Sequence, residues 1–144
     1  MGRDEGERLR VLLIEDDDDI RALLRARLEL DGRFTVVAEA WNGAHGVGQA
    51  KVHRPDVVVL DVIMPVLDGV KTLPLIRRLV PDAVVVTFSA LPEEHPRIAA
   101  LCDANGHVCK TEAPLLAETL YDAWVARQRV GTFAPNASPA PLRR

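Results

Sequence analysis

The stretches Val11-Leu12-Leu13-Ile14, Val57-Val58-Val59-Leu60 and Ala83-Val84-Val85-Val86 are apolar without interruption. Short, branched runs of this kind read as strands buried on both faces of a parallel sheet. Phe34 to Ala40 alternates only partly, as an edge strand does, and His107-Val108-Cys109-Lys110 after the Asn105-Gly106 turn reads as a short fifth strand. Between the strands the period changes. Ile20, Leu23, Leu24 and Leu28 recur at helical spacing, with Arg21, Arg25 and Arg27 mostly on the opposite, solvent-facing side, until Asp31-Gly32 stops the helix. Ala44, Val47 and Ala50 mark a second, weaker helix diluted by Gly46 and Gly48. Val70, Leu73, Ile76 and Leu79 mark a third, with Asp68 as its N-cap and Pro74 inside it. A short fourth helix covers Ile98 to Leu101. Pro114 suits the first position of a fifth, defined by Leu116, Leu120, Ala123, Trp124 and Arg127.

Five strands alternating with five helices predict an α/β fold: a doubly wound, five-stranded parallel sheet with helices on both faces. The flavodoxin-like strand order 2-1-3-4-5 is one of the two common solutions. In that order the first and third strands adjoin, and ligands bind beyond their carboxyl ends. The first strand runs into Glu15-Asp16-Asp17-Asp18-Asp19 and the third into Asp61. Asp17 to Asp19 are accounted for as acids at a helix N-terminus. Glu15, Asp16 and Asp61 would meet at the strand tips.

At 144 residues the chain has room for one core, assigned to residues 1–130, and the Pro- and Ala-rich residues 131–144 read as a disordered tail or linker. A formal charge of −3 gives no overall footprint for nucleic acid. The apolar runs fall far short of the roughly 20 residues of a membrane span, and the N-terminus lacks the apolar stretch of a secretory signal, so no membrane partner and a cytoplasmic location are expected. Cys102 and Cys109 are too few for a disulfide framework. His45, His53 and His95 lack metal-ligand spacing and are expected at the surface.

Three converging carboxylates repel one another unless a cation sits among them, and an all-oxygen set with no Cys or His favours Mg²⁺. The other strand tips add Ser89, with Thr87 as its rival, and Lys110. A carboxylate nucleophile, a metal, a lysine and a hydroxyl are the parts that hold a phosphoryl group.

With these residues in place the chain resembles the receiver domain of bacterial two-component response regulators. The resemblance rests on Glu15-Asp16 after the first strand, on Leu60-Asp61-Val62-Ile63-Met64-Pro65 with Asp68-Gly69, on Ser89-Ala90 and on Lys110, and it covers about Arg8 to Val130. It implies that Asp61 accepts phosphate from a sensor histidine kinase and that Glu15, Asp16, Asp61 and the backbone carbonyl of Ile63 hold Mg²⁺. It further implies that Lys110 contacts the phosphoryl group and that Ser89 is the switch hydroxyl. The protein would then be a signalling switch rather than an enzyme, and the resemblance allows a homodimer through the face of the fourth helix, fifth strand and fifth helix. The surroundings of Ser89-Ala90 and Lys110-Thr111 resemble receivers that precede a LuxR-type DNA-binding domain, so the chain is either stand-alone or one part of a longer regulator.

Four features depart from the family pattern. His107 stands where a switching Tyr or Phe is common, and Thr111 follows Lys110 in place of Pro. The segment from Ser89 to Lys110 is about one residue short and contains Pro92 and Pro96, which predicts an atypical fourth helix. Pro74 is the fourth. Two other readings stand beside the switch: a phosphorylation-independent, receiver-like binding module, and a phosphatase of the haloacid-dehalogenase type. The second calls for an acid where Ile63 stands.

Overall fold

The computed structural model describes residues 7–133. The strands are β1 (Leu9–Ile14), β2 (Phe34–Ala40), β3 (Val57–Asp61), β4 (Val84–Ser89) and β5 (Gly106–Cys109). They form one parallel sheet in the order β2-β1-β3-β4-β5, as the pattern predicts. The helices are α1 (Asp18–Asp31), α2 (Gly43–His53), α3 (Gly69–Leu79), α4 (Pro96–Ala99) and α5 (Leu116–Phe133).

The two residue parities of the strands build two cores. Leu12, Ile14, Val58, Leu60 and Val85 pack with Leu73, Ile76 and Ile98 on one face of the sheet. Val11, Leu13, Val57, Val59, Val84, Val86 and Phe88 pack with Leu24, Leu28, Leu116 and Leu120 on the other. Burial on both faces is why these strands are continuous aliphatic runs. Register puts the functional ends level: Ile14 pairs with Leu60, Asp61 with Phe88, and Ser89 with Cys109.

Some local expectations hold and others shift. Asp17 is the N-cap of α1, accepting from the Asp19 and Ile20 amides. Leu24 and Leu28 are buried, but Leu23, expected inside, is half exposed. On α2 the buried face is Gly43, Gly46 and Ala50, while Ala44 is exposed, because the bare Gly46 backbone lets Ile14 come against the helix. Pro74 lies on the exposed side of α3, and Thr72, Leu73 and Ile76 are buried. The fourth helix is a single turn that begins at Pro96 and is capped by His95, whose Nδ1 accepts from the Arg97 amide. Pro114 does not open α5. It lies in a 3-10 turn over Lys110–Leu115, and Glu112 leaves helical geometry there (φ −116°, ψ 34°), so the α-helix starts only at Leu116. At its other end α5 runs past Val130 to Phe133, and the remainder of the expected tail lies outside the described residues.

Candidate functional site

Asp61 closes β3 with 2% of its surface exposed, and Glu15, one residue past β1, is 1% exposed. Lys110 follows β5 and points between them, its Nζ 3.2 Å from Asp61 Oδ2 and 3.1 Å from Glu15 Oε1. The same ammonium donates to Glu15 Oε2 at 3.3 Å and lies 5.8 Å from the centre of the Phe88 ring. Glu15 Oε2 also accepts from the Asp17 amide at 3.0 Å, whereas the buried Oε1 has no aligned hydrogen-bond donor. Asp16 is exposed at the rim. One carboxylate oxygen each from Glu15, Asp16 and Asp61 lie within 4.8 Å of one another, a group able to hold a metal ion.

Burial, and after it the charge of Glu15, raises the Asp61 pKa from 3.8 to about 7, with Lys110 opposing the shift. Burial alone would lower the Lys110 pKa, but Asp61 and Glu15 outweigh it and the net shift is upward. The site therefore holds one fixed cation and an excess of carboxylate. Three carboxylates sharing a single ammonium, in an all-oxygen set, fit a hard divalent cation.

Ser89 ends β4 fully buried, with its Oγ accepting from the Leu91 amide at 3.1 Å. Thr87, two residues deeper on the same strand face, is engaged elsewhere: its hydroxyl lies 2.7 Å from His107 Nδ1, and His107 Nε2 is buried without a hydrogen-bond partner. Ile63 follows Asp61 by two residues, its side chain about half exposed in the loop before α3. His45 stacks on Trp41 with ring centroids 3.8 Å apart.

Asp68 caps α3 by accepting from the Lys71 amide at 3.2 Å and pairs with Arg97 of α4 at 2.7 Å. Gly69 is required because a Cβ there would lie 2.7 Å from the Asp61 carbonyl and 2.8 Å from Val62 Cα. The loop between them has one strained residue. Val66 adopts φ +70° while 78% exposed, at the centre of a tight turn closed by the Leu67 amide on the Pro65 carbonyl at 2.8 Å. A β-branched residue is disfavoured at that φ and nothing at so exposed a position demands it, so Val66→Gly is expected to raise stability by about 1 kcal/mol. Urea melts of the two proteins check this, and an equal or lower midpoint for the variant would show that the turn is unstrained.

Pattern reasoning overlooked Arg21. Assigned to the solvent side of α1, its side chain is only 13% exposed. It donates to the Glu15 carbonyl at 2.7 Å and to Glu39 at 3.0 Å, and it pairs with Asp18 at 2.6 Å. Gly43 also escaped notice. No sequence signal marks either one, because the decisive partners lie outside their own helices: the Glu15 carbonyl and Glu39 for Arg21, and Leu67 and Thr72 for Gly43.

Residues 11–120 match the family model of the response regulator receiver domain. The chain belongs to this family. Transcriptional regulatory protein PrrA of Mycobacterium tuberculosis is 36% identical over 129 residues, 90% of this chain and 54% of that protein. A protein-glutamate methylesterase/protein-glutamine glutaminase of Clostridium acetobutylicum is 29% identical over 140 residues, 94% of this chain and 41% of its own length. The chain thus spans about half or less of these curated relatives. The solved response regulator domain of Thermotoga maritima CheB superposes on this receiver with a TM-score of 0.76 at 29% identity, covering 83% of this chain and 98% of that one. Among the described residues, no helix of the receiver is long and apolar enough to cross a membrane.

Proposed function

We propose that this receiver is a phosphorylation switch in which Asp61 accepts a phosphoryl group from a sensor histidine kinase in the cytoplasm. The observation that carries the reading is the buried Asp61 carboxylate with Lys110 at 3.2 Å and Glu15 and Asp16 within metal-sharing reach. Glu15, Asp16, Asp61 and the carbonyl of Ile63 would hold Mg²⁺. When bound, the cation offsets the charge of the phosphoryl oxygens and holds them beside Asp61.

In the transfer, an Asp61 oxygen attacks the phosphorus of the kinase phosphohistidine. A P–O bond forms, the P–N bond breaks, and the released imidazole nitrogen takes up a proton. Asp61 must be ionised to attack. Its raised pKa works against this in the metal-free protein, and Lys110 favours it. After transfer Lys110 pairs with a phosphoryl oxygen instead of Asp61. The Ser89 hydroxyl, on the neighbouring strand, donates to another. Because Ser89 Oγ holds the Leu91 amide, its reorientation draws on the segment that leads to the single-turn α4. The new charge thereby biases the face of α4, β5 and α5, which includes His107, toward a partner, an output domain or a second copy of the chain. A DNA-binding output domain, which the LuxR-type resemblance allows, is one candidate.

Incubation with acetyl phosphate and Mg²⁺, followed by intact-mass measurement, tests the reading. One phosphoryl adduct is expected on the wild type and none on Asp61→Asn. No wild-type adduct, together with no Mg²⁺ binding, would sink the switch and leave a receiver-like binding module.

A further inference from the structure

Glu15 is tied at its amide, which donates to the Ala40 carbonyl at 2.9 Å, at Oε2 by the Asp17 amide, and at its own carbonyl by Arg21 Nη1 at 2.7 Å. The carbonyl belongs to the Glu15–Asp16 peptide. Asp16, by contrast, makes no side-chain hydrogen bond or ion pair among the described residues and is exposed, so the direction of its carboxylate depends on that peptide. Arg21 is itself immobilised. Nε binds Glu39 Oε1 on β2 at 3.0 Å and Nη2 binds Asp18 at 2.6 Å, while Arg25 holds the other oxygen of Glu39. The planar guanidinium spans three acceptors on three parts of the fold, which a lysine ammonium on a flexible stem cannot reproduce.

We propose that Arg21 is a positioning residue for the cation site: by fixing the Glu15 carbonyl it sets the Glu15–Asp16 peptide and aims the Asp16 carboxylate at the oxygens of Glu15 and Asp61. The inference rests on the reading that these three acids hold Mg²⁺. Charge and geometry predict opposite signs. As a mere positive charge near the site, Arg21 would repel a divalent cation, and its removal would tighten binding. As a positioning residue its removal weakens binding, by the roughly 10-fold or more typical of groups that orient metal ligands.

Mg²⁺ titrations by calorimetry on the full chain decide between them. Arg21→Gln is expected to bind Mg²⁺ about 10-fold more weakly than wild type. Arg21→Lys, which keeps the charge but cannot span the three acceptors, is expected to recover only part of the loss. Glu39→Gln and Asp18→Asn leave the bond to the Glu15 carbonyl in place and are expected to shift the affinity less than about twofold. Equal or tighter binding by Arg21→Gln overturns the inference, as does an equal loss in Glu39→Gln and Asp18→Asn, which would mean general loosening of the loop. Should Arg21→Gln melt early, the comparison passes to Arg21→Lys, whose wild-type affinity would overturn the positioning role. A wild type that binds no Mg²⁺ removes the underlying reading and the inference with it.

Discussion

Asp61→Asn is expected to stabilise the metal-free protein, and by more as the pH rises. The folded-state pKa of Asp61 is raised, by burial first and by Glu15 second, from 3.8 to about 7. At pH values below 3.8 the group is protonated in both folded and unfolded chains and the folded state bears no charge penalty. Between pH 3.8 and about 7 the unfolded chain releases its proton while the folded chain retains it, so stability falls as the pH rises, and the full penalty is reached above about 7. Lys110 already offsets part of it. Replacing Asp61 by an uncharged isostere removes what is left, and the gain at pH 8 should be on the order of 3 kcal/mol. Urea melts in EDTA at pH 4.5 and pH 8 measure it. A stability difference between the two proteins that is flat with pH would mean that the acidic cluster is not strained in the absence of a cation. Mg²⁺ is expected to narrow the gap by favouring the ionised wild-type site. The same substitution removes the phosphoacceptor, so stability and signalling are expected to move in opposite directions, as they do where function requires like charges in a buried place.

Gly43→Ala is expected to damage the protein far more than its size suggests. Gly43 is the first residue of α2, in the turn fixed by Asn42, whose Oδ1 accepts from the His45 amide at 2.7 Å. A Cβ at Gly43 would stand 2.0 Å from the Leu67 carbonyl oxygen and 2.1 Å from Thr72 Oγ1. Neither group gives way freely: one is backbone, and the hydroxyl is held by the Asp68 carbonyl at 2.7 Å. Relief requires α2 to back away from the loop that follows Asp61, the loop carrying Ile63, Val66 and Asp68. The loss should be about 3 kcal/mol, the upper part of the overpacking range, or about 10 °C in the melting temperature of a domain this size. Gly48→Ala supplies the contrast. A Cβ at Gly48 meets nothing within 4 Å, and the position is inside the same helix, so this substitution should stabilise by about 0.5–1 kcal/mol. Thermal melts of the pair check both signs, and similar shifts for the two variants would contradict the close approach at Gly43.

The two halves of the site differ in how far they could be read in advance. Glu15, Asp61, Ser89 and Lys110 were legible because each stands at or just beyond the end of a strand, and a strand buried on both faces advertises its end by the step from aliphatic to polar. Register then did the rest, since parallel strands of a doubly wound sheet bring those ends to one edge. The short fourth helix was legible from Pro92 and Pro96, which deny it length, and proves to be one turn. Arg21 was not legible. Amphipathic periodicity sorts residues by which side of a helix they occupy, and a long cationic side chain can leave the solvent side to reach a carbonyl at the helix entrance. Gly43 and Pro114 misled for a related reason. The need for a bare Cα at Gly43 comes from Leu67 in the loop after β3 and from Thr72 on α3, and Pro114 lies in a 3-10 turn that runs from Lys110 to the start of α5.

By itself the sequence determined the alternation of strands and helices and the identity of the groups at the strand tips, because buried-strand hydrophobicity and helical period are local properties; it narrowed the strand order to the common doubly wound solutions, and the fold selects β2-β1-β3-β4-β5. Tertiary structure decided what those groups experience. The closeness of Glu15 to Asp61, the position of Lys110 between them, the turning of Thr87 to His107 and the anchoring of Glu15 by Arg21 are all contacts between separate elements. The charge balance that makes the site fit for a divalent cation follows from distance and burial, and these exist only once the chain has folded.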